Sequence, residues 1–149
     1  MKQLSALAAH IEALPGITRD QMEAYADLGK LIPTGKDLGH GIEVGRFRYD
    51  AVISIDRCPA TLAETLLSSL LVWLALNDPE RDTKGLSEAD VDVTLSDEQT
   101  VGVEISVEFD EALTIVPDPD GPLAYDGQMW RADDAGFNVA EHLAGVEAV

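Results

Sequence analysis

The chain has 149 residues, enough for one domain whose apolar core needs no disulfide support. Its 28 acidic and 10 basic residues give a net charge of −18, which repels phosphate backbones and argues against nucleic-acid binding. A hydrophobic content of 46% argues equally against a disordered acidic tail, and the single Cys58 excludes an internal disulfide.

Taken in order, residues 2–14 read as an amphipathic helix with Leu4, Leu7, Ala8, Ile11 and Leu14 in its stripe, closed by Pro15-Gly16. The start, Met1-Lys2-Gln3-Leu4, lacks the apolar run of a signal peptide, so cytoplasmic synthesis is expected. Residues 20–31 fit two patterns. Met22, Tyr25 and Leu28 have helical spacing, whereas Met22, Ala24 and Ala26 alternate and Gly29-Lys30 offers a turn. Residues 33–45 are rich in glycine and read as a flexible loop. GHGIEVG lacks dinucleotide-fingerprint spacing and runs into a strand, not a helix.

Residues 46–56 alternate, with Phe47, Tyr49, Ala51, Ile53 and Ile55 on one face, and Pro59 ends the strand. A helix over 61–77 follows. Thr61 and Glu64 have capping-box spacing, and Leu62, Leu66, Leu70, Trp73 and Leu74 form its stripe. Asn77-Asp78-Pro79 stops it. Ser68-Ser69 interrupt the apolar run, which is shorter than the ~20 residues of a membrane span, so a core helix is expected rather than an anchor.

Beyond a polar connection, Val91, Val93 and Leu95 alternate with Asp90, Asp92 and Thr94. Val101, Val103, Ile105, Val107 and Phe109 then alternate with Glu104, Ser106 and Glu108. This is a hairpin with one apolar and one acidic face, as in a sheet covered on one side. Leu113, Ile115 and Val116 extend its second strand past a bulge at Asp110-Glu111. The Pro117–Pro122 stretch is a rigid break. After it come a turn at Asp126-Gly127, the apolar Tyr125, Met129 and Trp130, and a short helix over 138–149.

The residues that carry chemistry do not converge on a reaction. His10, His40 and His142 lack metal-ligand spacing. Asp118-Pro119-Asp120-Gly121 lacks the later ligands of a calcium loop. Asp90, Asp92, Glu104 and Glu108 offer paired carboxylates for a hydrolase, but an exposed acidic sheet face needs fewer assumptions. No cofactor, no metal and no enzymatic role are expected. The charge is uneven, with seven basic and eight acidic residues over 1–60 but three and twenty over 61–149.

The order of segments resembles the phage tail completion protein R family of contractile-tailed temperate phages. The residues that carry the resemblance are Phe47-Arg48-Tyr49, the helix core Leu70-Leu71-Val72-Trp73-Leu74 with its exit Asn77-Asp78-Pro79, the acidic hairpin from Asp90 to Glu108, and Tyr125 with Trp130. The resemblance covers roughly residues 20–132 and implies β rather than α structure over 22–31, in a glycine-turned hairpin at 22–33.

The expected fold is therefore α+β, an antiparallel sheet of about four strands packed on one face by two helices. A tail-terminator-like domain over 1–117 precedes an extended C-terminal arm over 118–149. The resemblance implies a structural virion protein of the tail and neck, assembled in the host cytoplasm. It would cap the head-proximal end of the tail tube as a hexameric ring and support head–tail joining. The implied partners are further copies of itself, tail tube and sheath proteins and a head–tail connector, with no membrane and no sequence-specific nucleic acid.

Candidate interface residues are Arg46, Arg48, Arg57, Tyr125, Met129 and Trp130. The arginines are suited to meeting an acidic face head to tail, and the aromatic residues and Met129 are types enriched at interfaces. The alternative is an acidic inhibitor or adaptor that mimics DNA and binds a basic partner.

Overall fold

The computed structural model describes residues 1–133; the helix expected over 138–149 lies outside the described residues, as does His142. The elements are helix α1 (Lys2–Glu12), strands β1 (Met22–Asp37) and β2 (Ile42–Pro59), helix α2 (Ala63–Asn77), and strands β3 (Asp90–Leu95), β4 (Thr100–Pro117), β5 (Leu123–Tyr125) and β6 (Gln128–Ala132). The fold is α+β, with an antiparallel sheet ordered β1-β2-β4-β6-β5 and β3 paired to β4. The described residues form six strands where about four were expected.

The chain divides into two compact units. One is Met1–Leu28 with Tyr49–Phe109; the other is Gly29–Arg48 with the chain from Asp110 onward.

The first unit holds nearly all the apolar core. Alternation on β2 and β4 buries Tyr49, Ala51, Ile53, Ile55, Val101, Val103, Ile105, Val107 and Phe109 on one face. Helix α2 lays Leu66, Leu70, Trp73 and Leu74 inward, and α1 adds Leu4, Leu7 and Ile11. Phe109 is the hub, its ring 6.0 Å from Tyr49 and edge-on to Trp73 at 6.1 Å. The helices also meet through polar groups, His10 Nε2 lying 2.6 Å from Ser69 Oγ. Together with the turn before it, the stretch Ala60–Asn77 is long and apolar enough to cross a membrane by length and composition alone. Its buried stripe is the one that faces the unit's core.

Two expectations need correction in this unit. The capping box at Thr61 and Glu64 does not form: a 3-10 turn over Ala60–Leu62 leads into α2, whose N-cap Leu62 makes no side-chain cap bond. A capping box forms instead at Thr18 and Gln21, where Gln21 Oε1 accepts the Thr18 backbone N–H at 2.9 Å. The amide of Gln21 also donates to the carbonyls of Asp56 and Arg57, securing the bend where Arg57 takes φ 50°. The second correction concerns β3. It pairs residue for residue with β4, Asp92 opposite Glu104, yet Val91, Val93 and Leu95 stay exposed. No element covers the apolar side of this strand among the described residues.

The second unit is built on close backbone approach. The loop expected over 33–45 is mostly strand. β1 runs to Asp37, and the chain turns only at 38–41, where Leu38 N–H bonds the Gly41 carbonyl at 2.8 Å. The hairpin placed at 22–33 is likewise one continuous strand, kinked at Leu28, which has φ 52°. Two glycines here sit where the backbone is crowded: a Cβ on Gly41 would lie 2.5 Å from the Ile115 carbonyl oxygen, and one on Gly45 2.7 Å from that of Ile32. Residues after the 117–122 break fold back as an antiparallel hairpin of β5 and β6, and β6 pairs with the end of β4, Pro117 opposite Trp130.

Candidate interaction surfaces

Two of the three expected interface arginines are engaged within the second unit. Arg46 Nε donates to Asp110 Oδ1 at 2.6 Å, Arg48 Nη2 donates to Asp110 Oδ2 at 3.0 Å, and Arg46 Nη1 reaches Glu43 at 3.1 Å. The Asp110 side chain is only 5% exposed, against 27% and 31% for Arg46 and Arg48. Burial raises its carboxyl pKa, but hydrogen bonds from Arg48 and Arg46 and their charges outweigh that and hold it below the ordinary carboxylate range. The position expected to carry a bulge is thus the anion that both arginines share. Arg57, in the first unit, remains exposed.

In the first unit the carboxylates gather on the sheet face opposite the core. Burial first, and then the charges of Glu108, Asp27 and Asp90, push the Asp50 carboxyl above its ordinary value. An open cleft of about 300 Å³ lies between Ser54, Asp56, Asp92, Thr94, Gly102 and Glu104. Arg81 fills a different place. It donates to Asp78 at 2.8 Å and to the carbonyls of Glu108 and Ser87, and lies over the Phe109 ring at 5.8 Å. Nothing in the local sequence around Arg81 marks it as this clamp.

The late apolar residues separate. Trp130 is buried at 4% exposure, donates its indole N–H to the Tyr125 carbonyl at 2.7 Å and meets the Tyr125 ring edge-on. Tyr125, Met129 and Leu123 stay exposed beside it. On α2, the face away from the core presents Leu71, Val72 and Leu76. No group of three or more His, Cys, Asp or Glu side chains suited to a metal occurs among the described residues.

What this geometry offers is surface: an acidic face, uncovered apolar strand and helix flanks, and a C-terminal hairpin with exposed aromatic and Met side chains, on an α+β frame. The model of the P2 phage tail completion protein R (GpR) family matches residues 1–134, and the chain belongs to that family, as a structural component of a phage tail. It is also 29% identical over 133 residues to an uncharacterized 19.2 kDa protein of the rep-hol intergenic region of Haemophilus phage HP1 (strain HP1c1), a match covering 87% of this chain and 80% of that one. No solved structure matches.

Proposed function

We infer that this protein completes the head-proximal end of a phage tail tube as a closed homo-oligomeric ring, a hexamer on a six-fold tube, and supports head–tail joining. The reading rests on its membership of the tail completion family. The fold supports it in a specific way. Among the described residues the sheet order ends on unlike strands, the sixteen-residue β1 and the three-residue β5, and the short β3 pairs with β4. A ring requires two different patches that meet head to tail. Tube, sheath and connector proteins are the remaining partners, with Tyr125 and Met129 exposed to meet them and Arg57 available to an acidic surface.

At −18 per copy, subunits repel one another, and screening acts over about 8–10 Å near physiological ionic strength. Rings are therefore expected to be weak at low salt and to close as salt rises or on the tube end, turning negative charge toward a lumen that phosphates can slide past. Sedimentation across a salt series, with mass measurement on assembled tails, tests this. Rings that fall apart as salt rises would show that subunit attraction outweighs repulsion. A monomer that binds tightly to a basic protein would favour DNA mimicry instead. Truncation after Pro117 tests the arm: a folded chain that no longer assembles supports an interface role for 118–149, and general unfolding supports a cap on the core.

A further inference from the structure

The −18 charge hides one stretch of opposite sign. Residues 29–48 carry Lys30, Lys36, Arg46 and Arg48 against only Asp37 and Glu43. Because Arg46 and Arg48 are engaged with Asp110, the cations this hairpin can offer are Lys30 and Lys36. Both are exposed and neither has an ion pair among the described residues. They stand six residues apart on β1, with Gly35 at φ 68° between them. Leu28, Leu31 and Ile32 are exposed around them.

The complement to this hairpin lies on β3. Among the described residues this strand pairs only with β4, and its other edge is open. Its two sides differ in chemistry, and both are exposed among the described residues. One carries Val91, Val93 and Leu95, the last 87% exposed; the other carries Asp90 and Asp92, next to the cleft shared with Asp56 and Glu104. No Lys or Arg pairs with Asp90, Asp92 or Glu104 among the described residues. An apolar row at period two on an open edge is a surface that soluble proteins ordinarily cover.

We propose that the β1–β2 hairpin of one copy docks on the open β3 flank of a second copy, Lys30 and Lys36 against Asp90 and Asp92 and Leu28, Leu31 and Ile32 against Val91, Val93 and Leu95. The inference deepens the ring reading and rests on it, replacing Arg46 and Arg48 with Lys30 and Lys36 as the basic half of the contact. Side chains make the contact. Pro33 lacks the N–H that an added strand would need at that point, which argues against a continuous backbone ladder.

Charge exchange at fixed ionic strength tests the pairing, because it separates a specific contact from general repulsion. The double variant Asp90→Lys and Asp92→Lys makes the chain less negative by four charges, so repulsion alone predicts tighter association. The proposed contact instead brings lysines against lysines and predicts at least a tenfold rise in the concentration for half-association, read by sedimentation. Lys30→Glu with Lys36→Glu weakens association too, and combining all four substitutions returns the net charge to −18 and restores it. Circular dichroism confirms that each variant is folded; all four positions are exposed.

Association strengthened by the β3 lysines, or no recovery in the fourfold variant, overturns the contact and leaves the ring intact. A second measurement stands apart from charge. Leu31→Cys with Val93→Cys gives oxidised oligomers of increasing size if the two surfaces meet, and none if they do not. Wild-type chain that stays monomeric at every concentration and salt, and on tails, overturns the ring reading and the contact with it.

Discussion

The two units are held together by different means. In the first, two helices and the alternating faces of β2 and β4 converge on Phe109, Tyr49 and Trp73, and most of its stability comes from removing apolar surface from water. In the second, the buried hydrophobic residues are Ile115 and Trp130, among the described residues. Close backbone approach at Gly41 and Gly121 and the Arg46–Asp110–Arg48 cluster take the place of a core. One unit thereby rests on apolar packing, whereas the other rests on a titratable ion cluster. Each contains one of the two tryptophans, Trp73 and Trp130, so Trp73→Phe and Trp130→Phe backgrounds give each unit its own fluorescence signal.

The largest expected effect falls in the first unit. Phe109→Ala removes the ring that Tyr49 and Trp73 pack on and that Arg81 covers, and should cost about 3–5 kcal/mol. Leu70→Ala, fully packed on the same core, should cost about 2–5 kcal/mol. Denaturant unfolding followed through Trp73 measures both. A loss below about 1 kcal/mol for either would mean that this unit is not held by its apolar core.

The second effect is smaller and belongs to the other unit. Asp110→Ala removes the anion that the partly buried Arg46 and Arg48 share, and a loss of about 1–3 kcal/mol is expected once their partial exposure and the remaining Arg46–Glu43 pair are allowed for. The signal should be Trp130 changing before Trp73. Asp110 has a lowered pKa in the folded chain, so its contribution is full above the ordinary carboxylate value of about 3.9 and fades as pH falls through the lower folded value. Acid titration should therefore disturb Trp130 in the wild type, and Asp110→Asn should abolish that transition. A Trp130 signal that titrates identically in both would remove the ion cluster from the account.

How far the sequence could be read follows the same division. Alternation and helical spacing are local, so β2, α2 and β4 and the burial of Trp73 were legible from neighbouring residues. The second unit depends on partners far along the chain. Asp110 meets Arg46 across 64 positions, and no spacing rule links them. Gly41 and Gly45 imitate a loop because glycine marks both flexible chain and backbone in close contact. Only the family resemblance assigned 22–31 to β structure, and it placed the turn too early. The exposure of Val91, Val93 and Leu95 was hidden for a third reason. Alternation shows that a strand has an apolar side but not whether a helix reaches far enough to cover it.

The smallest effect is the most diagnostic, because its sign opposes that of Asp110. Asp50 in the first unit has a folded pKa raised by burial and by the carboxylates of Glu108, Asp27 and Asp90. Folding therefore favours its protonated form, and stability falls as pH rises from the ordinary carboxylate value through the folded one. At neutral pH the charge is a cost. Asp50→Asn removes the charge and keeps the shape, and should stabilise the chain by less than about 1 kcal/mol at pH 7, with no gain at pH 3, where the wild-type carboxyl is already protonated. Added salt should shrink the part of the gain that comes from neighbouring carboxylates while leaving the burial part unchanged. The comparison must be made on dilute, monomeric chain. If Asp50→Asn instead destabilises under those conditions, a cation within the same chain is satisfying the acidic face, and the reason for that face to seek a lysine from a second copy disappears.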